Sequence, residues 1–189
     1  MIRYYAHNGQ AVAVIGKSGS SAIGKAIHLF RKPHFKVLGS TPENIEKNWN
    51  GAGWQNLVSS EKNPTSPLIP VREPISRFRS ACSQLKITDV DAALCELEVG
   101  GKLLSDFHFM PTSRWLAEGD NRLFKFPDHL PELSEDLGLD GIPPCNSAEG
   151  KGASKPDLSE EQQARVCEIY KDDIALFNSI ENYGMLKTV

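Results

Sequence analysis

Two separated segments carry side chains that could together hold a multiply charged anion. The first, "AVAVIGKSGSSAIGKAI" at residues 11–27, reads as an apolar strand, a glycine–serine loop and a helix. Lys17 follows the strand directly, Ser18, Ser20 and Ser21 offer hydroxyls, and Gly19 lets backbone amides approach a ligand closely. With Ala22 these residues open a helix whose first-turn N–H groups and partial positive charge suit an anion. The second, "PLIPVREPISRFRSACSQ", ends an apolar run at Arg72 and places Ser80 eight residues later on the helix predicted to follow. A guanidinium presents a fork of donors that matches a phosphate, and a serine on the facing turn adds a hydroxyl. Arg77 and Arg79 are expected to make that site more positive.

The loop taken alone leaves more than one reading open. Residues 19–26, "GSSAIGKA", nearly match the Walker pattern G-x-x-x-x-G-K-S/T of nucleotide kinases and triphosphatases. Ala26 stands where the magnesium-binding hydroxyl belongs. The spacing of Ala22, Ile23, Ala26 and Ile27 also starts the helix at about Ser20, which puts Lys25 on the helix body rather than in the loop. Read one step upstream, as "GKSGSSAI", the loop needs no metal and centres on Lys17. A glycine–serine stretch between strand and helix is also often only a turn.

Read in this way, the loop resembles the 5'-phosphosulfate loop of sulfotransferases, P-K-S/A-G-T/S-T/S, with Gly16 in place of the family's proline. The second segment is similar to their 3'-phosphate motif, V-R-D/E-P-x-x-R-x-x-S, matched at Val71, Arg72, Glu73, Pro74, Arg77 and Ser80. "DFHFMPTSRWL" resembles the D-x-H-x-x-P-Q segment of the carbohydrate sulfotransferases, with Thr112 in place of glutamine. "LSEEQQARVCEIYKDDIALFNSI" resembles that family's C-terminal helix, L-x-x-x-Y-x-x-D-x-x-x-F, with Tyr170, Asp173 and Phe177 in position. The resemblance runs in patches over most of the chain and leaves residues 41–64, where acceptor specificity would be expected, unmatched.

The resemblance implies a donor, 3'-phosphoadenosine 5'-phosphosulfate, and no metal. Lys17 would neutralise charge on the bridging oxygen. Residues Lys17, Ser18, Gly19, Ser20, Ser21 and Ala22 would line the 5'-phosphosulfate, while Arg72 and Ser80 would bind the 3'-phosphate. Lys151, in the loop "NSAEGKGASK", would reach the same phosphate. Sulfuryl transfer to a hydroxyl is an in-line displacement in which positioning and charge stabilisation do most of the work. Histidine suits the proton-accepting role, and the motif points to His108, with Asp106, Glu73 and His7 as alternatives. The acceptor implied is a carbohydrate or a similar small molecule. A non-catalytic module that keeps the nucleotide pocket is the remaining rival.

These residues must be positioned by strands and helices, and the pattern supplies them. Strands are expected at "AVAVI", "FKVLGS", "SPLIPV" and "RLFKF". Helices are expected over 20–31, over 74–85 after Pro74, over "DVDAALCELEV", over "PELSEDLG", and from Ser159, where Gln162 completes a capping box. Apolar residues of the last helix are Val166, Ile169, Tyr170, Ile174 and Phe177. Alternating strands and helices imply an α/β fold with a central, mainly parallel sheet flanked by helices in three layers, P-loop-like, in one domain over 1–189. Ligands of such sheets sit beyond the carboxyl ends of the strands, where both loops fall.

Whole-chain properties agree. The 189 residues carry a formal charge of -3 and 40% hydrophobic residues, which argues against a general nucleic-acid binder and allows a sizeable core. No apolar run is long enough to span a bilayer and the N-terminus does not read as a signal peptide. Cys82, Cys95, Cys145 and Cys167 form no C-x-x-C pair, so reduced thiols in a cytoplasmic protein are expected and a zinc site is not. The chain is short for the family it resembles, so a second subunit could complete the acceptor cleft.

Overall fold

A computed structural model describes residues 4–31, 58–59, 66–116, 118–142 and 154–189. The expected strand at "FKVLGS", Trp49, Trp54, Cys145 and Lys151 lie outside these residues. Asn8 and Gly9 both take positive φ, 48° and 75°, the backbone of a two-residue turn whose twist suits paired strands. They join β1 (Tyr4–His7) to β2 (Gln10–Ala13) as an antiparallel hairpin with His7 opposite Gln10. The sequence reading has β2 but not β1. After a loop come α1 (Ser20–Arg31), β3 (Val58–Ser59) and β4 (Leu68–Arg72). Next are α2 (Pro74–Leu85), α3 (Val90–Glu98), β5 (Asp120–Phe126) and α4 (Leu130–Asp136). The chain closes with α5 (Glu160–Ile169), α6 (Lys171–Ser179) and β6 (Met185–Thr188).

The fold is α/β, with an open sheet in the order β3-β1-β2-β4-β5-β6 among the described residues. Its central strands β2, β4 and β5 run parallel, and the outer pairings with β1, β3 and β6 are antiparallel. Successive strand residues point to opposite faces, so each continuous apolar run feeds two cores. Val12, Leu68 and Phe124 pack with Ile23 and Ile27 of α1 and with Leu133 and Leu137 at α4. Ala13, Ile15, Ile69, Val71 and Leu123 pack on the other face with Trp115, Leu176 and Ile180. Helical cover on both faces is what a parallel centre requires. A third cluster, beside the sheet, joins Phe78, Ala81 and Cys82 of α2 to Leu94 and Leu97 of α3, Val166 of α5, Tyr170 and Phe109.

Local signals set the helix ends. Pro74 opens α2, and the Glu73 carboxylate caps it by accepting from the amides of Ile75 (2.9 Å) and Ser76 (2.6 Å). Ser159 and Gln162 form the expected reciprocal capping box at α5. The predicted single C-terminal helix is instead two. Tyr170, with φ -109° and ψ 28°, ends α5 and begins α6. The break turns the Tyr170 side chain into the third cluster, where its hydroxyl donates to the carbonyl of Phe109 at 2.8 Å.

Candidate functional site

The carboxyl ends of the three parallel strands meet in one place. After β2 the chain turns through residues 16–19, with Ser18 N–H donating to Ile15 O at 3.3 Å. Lys17 and Gly19 take positive φ, 62° and 84°. A left-handed lysine is uncommon, and such positions cluster at functional loops. Gly19 also lies against the ring of Phe126, the last residue of β5, because an added Cβ would come within 2.3 Å of it. Ser20 begins α1, as the spacing predicts, so Lys25 lies in the body of the helix and not in the loop.

Arg72, the last residue of β4, crosses to this loop. Its Nη1 donates to the carbonyl of Lys17 at 2.8 Å and its Nη2 to Ser76 Oγ at 2.9 Å. Its guanidinium stands 5.7 Å from the centre of the Phe126 ring. Burial lowers the Arg72 pKa from its ordinary value and nearby Arg77 adds to the drop, while Glu73 pulls the other way. No carboxylate lies within ion-pair distance of Arg72 among the described residues. The result is a half-buried cation facing only neutral acceptors.

Lys17 reaches the same helix further along, with Nζ donating to Gln84 Oε1 at 3.2 Å. Ser76, Ser80 and Gln84 succeed each other at four-residue intervals and so share one stripe of α2. Arg72 holds one end of that stripe and Lys17 the other, which leaves Ser80 between the two predicted anion-binding cations. Ser18 is fully buried and its Oγ has no hydrogen-bond partner among the described residues. A buried hydroxyl without a partner is costly unless something outside the chain satisfies it.

The segment carrying His108 abuts the loop from the other side. A Cβ on Gly16 would lie 2.2 Å from the carbonyl oxygen of Phe107, so only glycine allows this approach. His108 Nδ1 is 2.8 Å from Asp106 Oδ1, which also accepts from the His108 amide at 2.8 Å. With Nδ1–H donating to the carboxylate, Nε2 is left as the acceptor of the ring, the arrangement of a general base held by its orienting acid. Burial alone would raise the Asp106 carboxyl, but the two His108 hydrogen bonds and the His108 charge outweigh it and hold Asp106 below its ordinary value.

The alternative bases fare differently. Glu73 spends both carboxylate oxygens on the α2 cap. His7 pairs with Gln10 at the start of β2, the opposite end of the sheet from Lys17. Asp106 is the partner of His108. No known family, curated protein or solved structure matches the chain.

Arg77 corrects one expectation. It adds no exposed positive charge to the site: it is only 2% exposed and belongs to the buried stripe Pro74, Arg77, Phe78, Ala81, Cys82 of α2. Its Nε donates to the carbonyl of Gly16 at 3.1 Å, its Nη2 to the carbonyl of Met110, and its Nη1 lies 3.6 Å from Asp173 Oδ2. Asp173, 1% exposed, accepts from the amides of Thr112 (2.6 Å) and Ser113 (2.8 Å). Arg79 turns away, to Pro156 O and the Asp157 carboxylate. Trp115 is a core residue, edge-on to Phe107. Sequence reasoning missed Phe126 and Gln84 as parts of the site. It also missed the clamp made by Arg77 and Asp173, although both lie within apolar stripes at helical spacing. A cavity of about 780 Å3 between α3, α5 and residues 111–114 is lined by none of residues 16–22, Arg72 or Ser80.

Proposed function

We propose that the chain is a sulfotransferase of P-loop-like architecture, which takes the sulfuryl group from 3'-phosphoadenosine 5'-phosphosulfate and gives it to a hydroxyl of a carbohydrate or similar small acceptor. The observation that carries the reading is the hydrogen bond from Arg72 to the carbonyl of Lys17, made by a guanidinium with no carboxylate partner among the described residues. It joins the two segments expected to grip opposite ends of one doubly phosphorylated adenosine. In this reading Lys17, Ser18, Gly19, Ser20, Ser21 and Ala22 hold the 5' group, Arg72 and Ser80 hold the 3'-phosphate, and Lys151 is proposed to join them.

The bound donor supplies an activated sulfuryl group. The chain's own residues do the rest. Lys17 places positive charge where the leaving nucleotide gathers negative charge. His108 Nε2 accepts the acceptor's proton while Asp106 fixes the ring. The Walker reading is weaker, because Lys25 is in the helix body and Ala26 offers no oxygen for magnesium. A soluble, cytoplasmic setting belongs to the proposal. It rests on the absence, among the described residues, of a helix long and apolar enough to cross a membrane, and on the free thiols of Cys82, Cys95 and Cys167.

Calorimetric titration with adenosine 3',5'-bisphosphate, and separately with ATP and magnesium, tests the reading. Binding of the bisphosphate alone is expected. Arg72→Ala should weaken it by roughly 1.5–3 kcal/mol, the value of a charge-assisted hydrogen bond. Lys17→Ala should abolish transfer with a smaller effect on nucleotide binding. A preference for ATP with magnesium would overturn the proposal. Bisphosphate binding without turnover on any hydroxyl acceptor would leave a binding module instead.

A further inference from the structure

Arg72 and Phe126 are register partners at the carboxyl ends of β4 and β5, and the Arg72 guanidinium lies over the Phe126 ring, 5.7 Å from its centre. A guanidinium within about 6 Å of an aromatic centroid is attracted by the negative face of the ring. Phe126 is half-buried and also meets the loop after β2, since a Cβ on Gly19 would come within 2.3 Å of its ring. Arg72 in turn donates to the carbonyl of Lys17 in that loop at 2.8 Å. Phe126 therefore touches both sides of the junction between β4 and the loop.

Arg72 keeps different company from other arginines of the chain. Arg77, Arg79, Arg122 and Arg165 each have a carboxylate within ion-pair distance. Arg72 has none among the described residues, and its hydrogen bonds there go to the Lys17 carbonyl and to Ser76 Oγ, both neutral. A carboxylate would orient the guanidinium and cancel its charge. A carbonyl, a hydroxyl and an aromatic face orient it and leave the charge whole. An oriented guanidinium whose charge is not cancelled suits the oxygens of a phosphate or sulfate group.

We propose that Phe126 is a positioning residue for Arg72: its ring holds the guanidinium against the loop without neutralising it, so that the charge is left for an anion of the phosphate class. The proposal rests on the sulfotransferase reading for the nature of that anion, the 3'-phosphate of the donor, and not for the placing of Arg72.

Adenosine 3',5'-bisphosphate is titrated into wild type, Phe126→Leu, Arg72→Ala and the double variant, and melting of each chain checks that it is folded. The rate at which phenylglyoxal modifies Arg72 is followed by peptide mapping in wild type and in Phe126→Leu. Leucine fills much of the same space without an aromatic face; Phe126→Met serves where the leucine variant fails to fold. Phe126→Leu should weaken bisphosphate binding roughly two- to fivefold and speed the modification of Arg72. In the Arg72→Ala background the same change should leave binding where it was, because Phe126 acts through Arg72. Equal weakening in both backgrounds would make Phe126 a plain support of the loop and overturn the proposal, as would an affinity that Phe126→Leu does not change. A wild type that does not bind the bisphosphate overturns the nucleotide reading, and the modification rate then decides: faster modification in Phe126→Leu upholds Phe126 as the residue that positions Arg72, and an unchanged rate overturns it.

Discussion

Asp106 and His108 show how much a two-residue spacing can do. One carboxylate oxygen accepts both from the amide and from the ring of the same histidine, so the imidazole is fixed by a partner on its own turn. The Asp106 carboxyl is held below its ordinary value in the folded chain. A depressed folded pKa gives stability that is present above the unfolded value, about 3.9 for aspartate, and is lost as pH falls through the folded value. The stability difference between wild type and Asp106→Asn should therefore shrink below roughly pH 4. It should be small, because the Asp106 side chain is 39% exposed and solvent screens it. Urea unfolding at several pH values checks this; a difference unchanged in strong acid would mean that the Asp106 charge is not engaged. Arg72 and Arg77 make the complementary point. They stand five residues apart, yet Arg77 is neutralised by Asp173 and serves the fold, while Arg72 has no carboxylate partner among the described residues and binds the carbonyl of Lys17.

At the scale of elements, α2 does most to assemble the site, since Ser76 meets Arg72 and Gln84 meets Lys17 along one side, with Ser80 on the stripe between them, and Arg77 points inward on another. Its start depends on Glu73. Glu73→Ala should cost about 1 kcal/mol, within the 0.5–2 range of N-cap losses, and Glu73→Gln, which keeps an acceptor oxygen, should cost less. A fall in the urea midpoint at unchanged slope is the expected reading; no fall for the alanine variant would remove Glu73 from the cap. The α2 limits were legible because Pro74 and the apolar spacing of Phe78, Ala81 and Cys82 are local signals. The same holds for α1 and for the capping box at Ser159. The β1–β2 turn also has a local signal, Asn8-Gly9, but β1 itself is short and its register is fixed only by pairing with β2. β6 has no such mark: Met185–Thr188 is an edge strand held by β5. The break at Tyr170 depends on the contact of its hydroxyl with Phe109, sixty-one residues away, which no window of sequence contains. Arg77 was expected to add positive charge to the site although it sits in an apolar stripe, and its partner could not be read locally, because Asp173 lies ninety-six residues further on.

On the scale of the whole molecule, that buried pair holds three distant pieces in register. Arg77 takes the carbonyls of Gly16, in the loop after β2, and of Met110, after the His108 turn. Asp173, on α6, takes the amides of Thr112 and Ser113. Burial lowers the Arg77 pKa from its ordinary value and the nearby Asp173 opposes the drop. Removing one member leaves the other charged and buried, which costs about 3–5 kcal/mol. Arg77→Met and Asp173→Leu should each lose stability on that order. The double variant should lose well under their sum, because no orphan charge remains, although the four backbone groups keep no side-chain partner. The expected interaction energy is at least about 0.5–3 kcal/mol, as for groups in direct contact. The double variant should still separate from wild type in function. If the proposed function holds, then with Gly16 and Met110 no longer tied to one guanidinium, Lys17 and His108 lose their common reference, and transfer should fall further than nucleotide binding. Denaturation of the four chains of this cycle supplies the coupling, and additive losses would show that Arg77 and Asp173 act as two local supports rather than one brace between the loop after β2 and the His108 segment.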